Sequence, residues 1–384
     1  MRLRTRTGSA ALLALAALTG CAAHPPAVPL GDTGPATTGI WATLPDSPLS
    51  PRREAVGAWL EGRFVLVGGW SGPPCPDGAS CPEPEDPAHR DGAAFDPSTG
   101  EWRAIADAPI PISGSSSAVL DGRLYLLTGM EWREDSPVGM LSYDPASDAW
   151  TEHPSPPVDW SKLVAGAGML FAVAGSDEVE TARDFVFDEA AGSWTELPDD
   201  PLGPSFDRDA TVLDGELILT AKDLVESPGS EEPSLARLAR LSPDLSEWTR
   251  MPDTETIGGN PVPISGLLVF PITGGADGGE VNNWGREYFF GGIYDPADGS
   301  WTELPFPPAG GFAGHLLTLG ERTLVGGHLL DPRSGSWTML PELPGGDRSS
   351  ATVTAGEDRI LVWGGATATG NLGDGYLLEV PPAS

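Results

Sequence analysis

The chain has 384 residues, of which 55 are Asp or Glu and 22 Lys or Arg, for a formal net charge of −33. An acid excess of that size excludes nucleic acid as a partner. Hydrophobic residues make up 40%, enough to build sheet cores, and the length would ordinarily imply two or three domains unless a repeat organises it.

The first twenty residues do not share the pattern of the rest. Arg2, Arg4 and Arg6 precede the apolar run Ala10 to Leu18, which is too short to span a bilayer and has the form of a signal-peptide core. The run ends in Leu18-Thr19-Gly20-Cys21, which resembles the lipobox of bacterial lipoproteins. That resemblance implies cleavage before Cys21 and acylation of its thiol, which anchors the chain outside the cytoplasm; a soluble secretory peptide with an incidental Cys is the other reading. Loss of residues 1 to 20 leaves 19 basic against 55 acidic residues, a net of −36. A body so acidic is repelled by anionic headgroups, so the acyl chains must carry the membrane attachment. Residues 21 to 37, rich in Pro, Ala, Gly and Thr, read as a tether that reaches up to roughly 50 Å if extended.

From residue 38 to the end one unit recurs. Six times an aromatic or leucine is followed seven positions later by tryptophan: Phe95/Trp102, Tyr143/Trp150, Phe187/Trp194, Leu241/Trp248, Tyr294/Trp301 and Leu330/Trp337. The residues between, such as Asp96-Pro97 to Gly100 and Asp295-Pro296 to Gly299, are those of a tight turn. Asp bonds its own backbone two residues on, Pro presets φ, and Gly accepts the left-handed position. Upstream lies a second hairpin built on two-residue turns, as in Leu60-Glu61-Gly62-Arg63, Leu120-Asp121-Gly122-Arg123 and Leu213-Asp214-Gly215-Glu216. Each unit therefore has four strands and cannot bury its faces alone, which predicts an all-β propeller. Paired glycines at Gly68-Gly69, Gly274-Gly275, Gly326-Gly327 and Gly364-Gly365 mark places where strands crowd.

These features resemble the kelch repeat, a diglycine followed by an aromatic and then a Trp, as found in galactose-oxidase-like propellers. The likeness spans about residues 38 to 381. Blade four departs from it, with Thr220-Ala221-Lys222 in place of glycines, and blade two has only Gly129. Six units run from about Arg52 to Leu340, and the tail supplies three more strands, Ala351–Thr354, Ile360–Trp363 and Tyr376–Val380. The missing fourth is expected at the other end of the chain, where Ile40-Trp41-Ala42-Thr43-Leu44-Pro45 copies the Trp-Thr-x-Leu-Pro strand of the other units. The expectation is a seven-bladed β-propeller of four-stranded blades, ring closed by the N-terminal strand.

Strand parity places the turns within each hairpin on one face and the long connections on the other. The long insertions, Trp70–Gly92, Met130–Gly139, Ser176–Arg183, Asp223–Arg237, Ala276–Phe290 and Ala366–Gly375, all fall on the second face, which is the expected binding face. Cys75 and Cys81 lie in the first insertion and outside the cytoplasm are expected to form a disulfide; a metal site would need ligands beyond them and His89. Trp70, Trp132 and Trp284 sit in these connections and Trp160 begins an inner strand. They are either exposed platforms for a sugar or protein, or pins holding their own loops. Arg52, Arg53, Lys162, Arg208 and Arg348 fall at or just before inner strands. They either cluster to hold a carboxylate or phosphate, or pair between blades with Glu54, Asp207, Asp209 and Asp347.

Catalytic signatures are sparse. The copper site of galactose-oxidase-like enzymes needs two His, two Tyr and a Cys bonded to one Tyr, and no Cys here lies outside the positions already assigned. His315, in an inner strand, is the one histidine expected near the channel. No cofactor or metal is expected, and the reading is a monomeric binding or scaffolding module for a protein, glycan or anionic ligand. The alternative is a carbohydrate-active, epimerase-like enzyme with acid and base groups at the channel mouth. The lipobox yields a first test: wild-type cells incorporate labelled palmitate into the chain, and Cys21→Ser abolishes labelling and releases the protein from the membrane fraction. Absence of label in the wild type would refute the anchor.

Overall fold

The computed structural model describes residues 39–73, 88–128, 139–158, 161–176, 178–225, 233–254, 256–271, 291–304 and 316–381. Cys21, Cys75, Cys81, Trp132, Trp160, Trp284 and His315 lie outside them. The described residues form seven four-stranded antiparallel sheets arranged as a ring, a seven-bladed β-propeller. In the first blade Val56–Leu60, Arg63–Val67, Gly92–Asp96 and Glu101–Ile105 follow in order from the axis outward. The inner strands of the others are Ser116–Leu120, Ser161–Gly166, Phe206–Leu213, Val262–Ile264, Leu317–Leu319 and Thr352–Gly356.

The last blade is completed as the sequence predicts. Trp41–Thr43 pairs with Gly375–Glu379, Trp41 opposite Leu378, so the two ends of the domain share one sheet. The turn chemistry also holds. The two-residue turns Glu61-Gly62, Asp121-Gly122 and Asp214-Gly215 have positive φ at both positions, which matches the twist of the strands they join. The second strands read as continuous apolar runs, because both faces of each blade are covered. In Arg63–Val67, Phe64 and Leu66 enter the core shared with the seventh blade, while Val65 and Val67 enter the core shared with the second. Each joint between blades thus has its own core.

The diglycines serve a close approach. A Cβ on Gly68 would lie 2.5 Å from the Ile112 carbonyl oxygen, and one on Gly364 2.5 Å from that of Arg52. Each pair receives the segment entering the next blade: Gly69 N–H donates to Ile112 O at 2.8 Å and Gly365 N–H to Arg52 O at 2.9 Å. Blade four lacks the glycines, and its second strand instead runs on through Glu216–Lys222, with a bulge between Phe206 and Asp209. One element was not foreseen: the connection after Gly365 carries a two-rung hairpin, Ala366–Thr367 with Gly370–Asn371. Its Asn371 amide donates to the carbonyls of Ser71 and Gly72 across the closing joint.

The outer tryptophans tie neighbouring blades together. The indole N–H of Trp102 donates to Pro45 O, Trp150 to Ala106 O, Trp194 to Pro154 O, Trp248 to Pro198 O and Trp41 to Pro341 O, at 2.8 to 3.0 Å. In every case the acceptor lies four residues after the Trp of the preceding blade. The Pro-rich exit of one blade is therefore the dock for the next. Trp41→Ala should destabilise the whole ring by ~3–5 kcal/mol, because it removes a buried indole and the last latch together. The check is the urea midpoint, and an unchanged midpoint would contradict closure by the N-terminal strand.

Candidate functional site

The inner strands enclose a channel. Those of blades two to six line a cavity of about 600 Å³ whose wall includes Val119, Lys162, Asp209, Thr211, Asn260 and Leu316. A smaller cavity of about 400 Å³ continues along blades one, two and seven beside Glu54, Ser115, Ser350 and Thr352. Lys162 and Asp209 occupy equivalent registers in adjacent strands, opposite Val173 and Thr220 respectively, and their side chains form an ion pair across the joint. Asp209 is buried and also accepts its neighbour's backbone N–H, from Ala210, at 2.8 Å. Lys162 remains about half exposed at 54%. One blade earlier, in the same layer, the Ser116 hydroxyl accepts the Leu163 N–H at 2.8 Å. Val119 and Leu316 are among the few large apolar side chains left exposed, at 44% and 37%.

The strand entrances at the mouth repeat an uncommon conformation. Two residues before the Ser116/Asp209/Thr352 layer, Gly114, Asp207 and Ser350 have φ of 53°, 49° and 50°, and Glu54 in the first blade has 61°. Left-handed backbone at a Glu or Ser carries a cost that the surrounding pairing must hold down. Here Glu54 N–H donates to Ser350 O at 2.9 Å, locking one entrance to its neighbour. Sequence reading missed this rim, because Glu and Ser are not left-handed residues by type. Only Glu54 and Ser350 carry a sign in the sequence, an arginine two positions earlier, Arg52 and Arg348.

The predicted cations are not assembled into an open ring. Arg52 is buried and grips Asp91 with two bonds, at 2.6 and 2.9 Å, while also donating to Gly68 O. That guanidinium holds the Asp91 carboxyl below the usual range, against the opposing effect of burial. Arg348 repeats the arrangement one blade back, with Asp374 at 3.1 Å, Gly364 O at 3.1 Å and the Tyr376 ring beneath it. Arg208 has no exposed side-chain surface and bridges Asp184 at 2.7 Å and Asp200 at 2.8 Å. Arg53 is mostly buried between Glu54 and Gly72 O. Of the acids named as alternative partners, Glu54 and Asp209 are used, Asp207 is taken by Lys222, and Asp91, Asp184, Asp200 and Asp374 were not foreseen. Lys162 is the predicted cation with substantial exposure in the channel. Trp70 is 5% exposed and bridges by backbone to Arg53 and Ala88, so this indole packs inward instead of forming an exposed platform.

Burial pushes the Asp184 carboxyl up, and Arg208 pulls against it. Arg208→Met should therefore cost ~3–5 kcal/mol at neutral pH by leaving two buried carboxylates without their cation. A carboxyl whose folded pKa lies above its unfolded value binds its proton more readily in the native state. The deficit of the variant must then shrink as pH falls from 7 toward the unfolded carboxyl range, readable as converging thermal midpoints. A deficit that widens toward acid would contradict this.

No family model matches the chain. It is 27% identical over 188 residues to the Kelch-like protein terF of Aspergillus terreus, covering 42% of this chain and 38% of that protein. It is 32% identical over 91 residues to Kelch-like ECH-associated protein 1B of Danio rerio, 22% of this chain and 15% of the relative, and 36% identical over 62 residues to Kelch-like protein 15 of the same fish, 16% and 10%. The chain thus spans well under half the length of these relatives. Among solved structures, one described as the structure of YjhT aligns over 87% of this chain and 96% of its own at 15% identity, with a TM-score of 0.45.

Proposed function

From the premise that the chain is a kelch-repeat β-propeller, we propose that it is a binding module for a protein partner, displayed outside the cytoplasm on a lipid-bearing Cys21. The observation that carries this reading is the channel mouth. Exposed Leu316 stands in one cavity with a half-exposed lysine, Lys162, whose charge is held in place by a buried carboxylate, Asp209, while exposed Val119 lines the same cavity nearer the tight turns. Apolar surface beside a positioned cation suits an inserted loop with an apolar tip and an acidic or carbonyl neighbour. One relative is named for its association with another protein, which supports a partner of that class.

The tether fixes an orientation in this proposal. Trp41–Thr43 runs antiparallel to Gly375–Glu379 and begins beside Glu379, on the face of the tight turns. The tight-turn face then looks toward the membrane and the channel mouth toward partners. A photo-crosslinking residue at Leu316 or Asn260 should capture a discrete partner in intact cells, and one at Asp121 or Asp214 should not. Leu316→Asp should lower capture from Asn260 at least tenfold while leaving the melting midpoint in place. Capture only from the tight-turn positions would overturn the face assignment, and equal capture by Leu316→Asp would overturn the mouth as the contact.

A further inference from the structure

The joint between blades four and five places a tyrosine hydroxyl, that of Tyr294, where the joints with the same glycine and proline, Gly100 with Pro45 and Gly192 with Pro154, have Phe95 and Phe187. At the joint of blades one and two, Tyr143 donates its hydroxyl to Asp148 at 2.8 Å, the same carboxylate oxygen accepts Ala106 N–H at 3.0 Å, and Trp150 closes the joint on Ala106 O. Three blades on, the equivalent positions are Tyr294, Gly299 and Pro252. Glycine brings no carboxylate and proline no N–H. Tyr294 is 2% exposed and its hydroxyl has no hydrogen bond among the described residues, and the buried indole N–H of Trp301 likewise has no acceptor. In the resulting gap is a cavity of about 490 Å³ lined by Tyr294, Gly299, Pro252, Met251, Leu213 and Arg240.

We propose that this cavity is a binding site for a compact organic carboxylate, whose acid group takes the place that Asp148 fills at the joint of blades one and two. Tyr294, its ring buried, supplies the donor. Arg240 lies in the wall with only a 3.8 Å contact to Glu216, and Arg250 is engaged by Asp253 at 3.0 Å. The other acids of the wall are Asp214, Glu216 and Asp298. Asp298 is turned back to accept Ser300 N–H at 2.9 Å, and Glu216 is the loose partner that a ligand would displace. Leu213, Met251 and Pro252 give an apolar seat for the body of the molecule. Burial raises the Tyr294 hydroxyl's pKa and keeps it a donor at neutral pH, while Arg240 opposes that shift from nearby. The site is on the tight-turn side, apart from the channel, and stands or falls independently of the partner proposed there.

The fold offers its own control. Asp148 has φ 51° and Gly299 φ 73°, so aspartate already occupies this backbone conformation at the equivalent position, and a Cβ on Gly299 would meet nothing closer than 3.9 Å. Thermal unfolding of the purified full chain should be followed with benzoate and with benzamide as its uncharged match. At about 100 times its Kd benzoate should raise the wild-type midpoint by ~3 °C, benzamide should not, and both Gly299→Asp and Tyr294→Phe should lose the response. An N-acetylated tripeptide with a free C-terminus is added to separate sources: a response to benzoate alone marks a free acid, and a response to the tripeptide but not its amide marks a chain terminus. Equal shifts from benzoate and benzamide, no shift from any carboxylate, or an undiminished shift in Gly299→Asp would overturn the proposal.

Discussion

The indole hydrogen bond from five outer tryptophans, Trp41, Trp102, Trp150, Trp194 and Trp248, to the exit carbonyl of the preceding blade is the constraint on which the ring depends. A propeller blade is covered on both faces only if its neighbours arrive at the right distance and tilt, and apolar cores by themselves are permissive about tilt. A donor on a rigid two-ring side chain, aimed at one carbonyl, is not permissive. The bond from Trp102 crosses to Pro45 and that from Trp41 crosses to Pro341, 300 positions away in the chain. Closing the ring with the first strand therefore uses the same contact as the joints at Trp102, Trp150, Trp194 and Trp248, and the last joint is no weaker in kind than the first.

This explains why so much of the fold was legible. The latch needs a Trp, a fixed spacing back to the apolar residue that supports it, and an exit segment whose carbonyl points outward, so all three leave marks in the sequence at constant intervals. Phe95 and Trp102, directly paired across their hairpin, pack at a tilt with ring centroids 5.0 Å apart, as do Phe187 and Trp194. Seven-residue spacing is the trace of that register. The Pro after each exit was read as turn chemistry, while its carbonyl serves as acceptor, a role that spacing alone does not reveal.

The charges were legible only in number. An Arg before an inner strand is visible at Arg52 and at Arg348, but its partner is chosen by where the third strand starts, 39 positions away for Asp91 and 26 for Asp374. Those intervals differ because the connecting loops differ, while the geometry in space is the same: guanidinium, carboxylate and the first glycine carbonyl. Loop length hides from the sequence what the sheet restores. The outcome is that cations at the edge of the disc mostly brace it, and the exposed one in the channel, Lys162, is set there by a buried acid on the next blade.

A ring with seven separate cores has a further consequence for how sites arise. In a fold with one core, an unmatched polar group and the void beside it are felt throughout. Here the residues of the core at the fourth joint, among them Leu213, Met251, Phe270 and Tyr294, are distinct from those at the joints on either side. The unmatched hydroxyl of Tyr294 beside Gly299 and Pro252 is confined to that joint, while the strands on both sides stay in register, Tyr294 still opposite Trp301. Modular cores let one joint carry an unfilled donor and a cavity without loosening the rest, so a site can be made in a propeller by one polar residue at a repeat position as readily as by adding a loop.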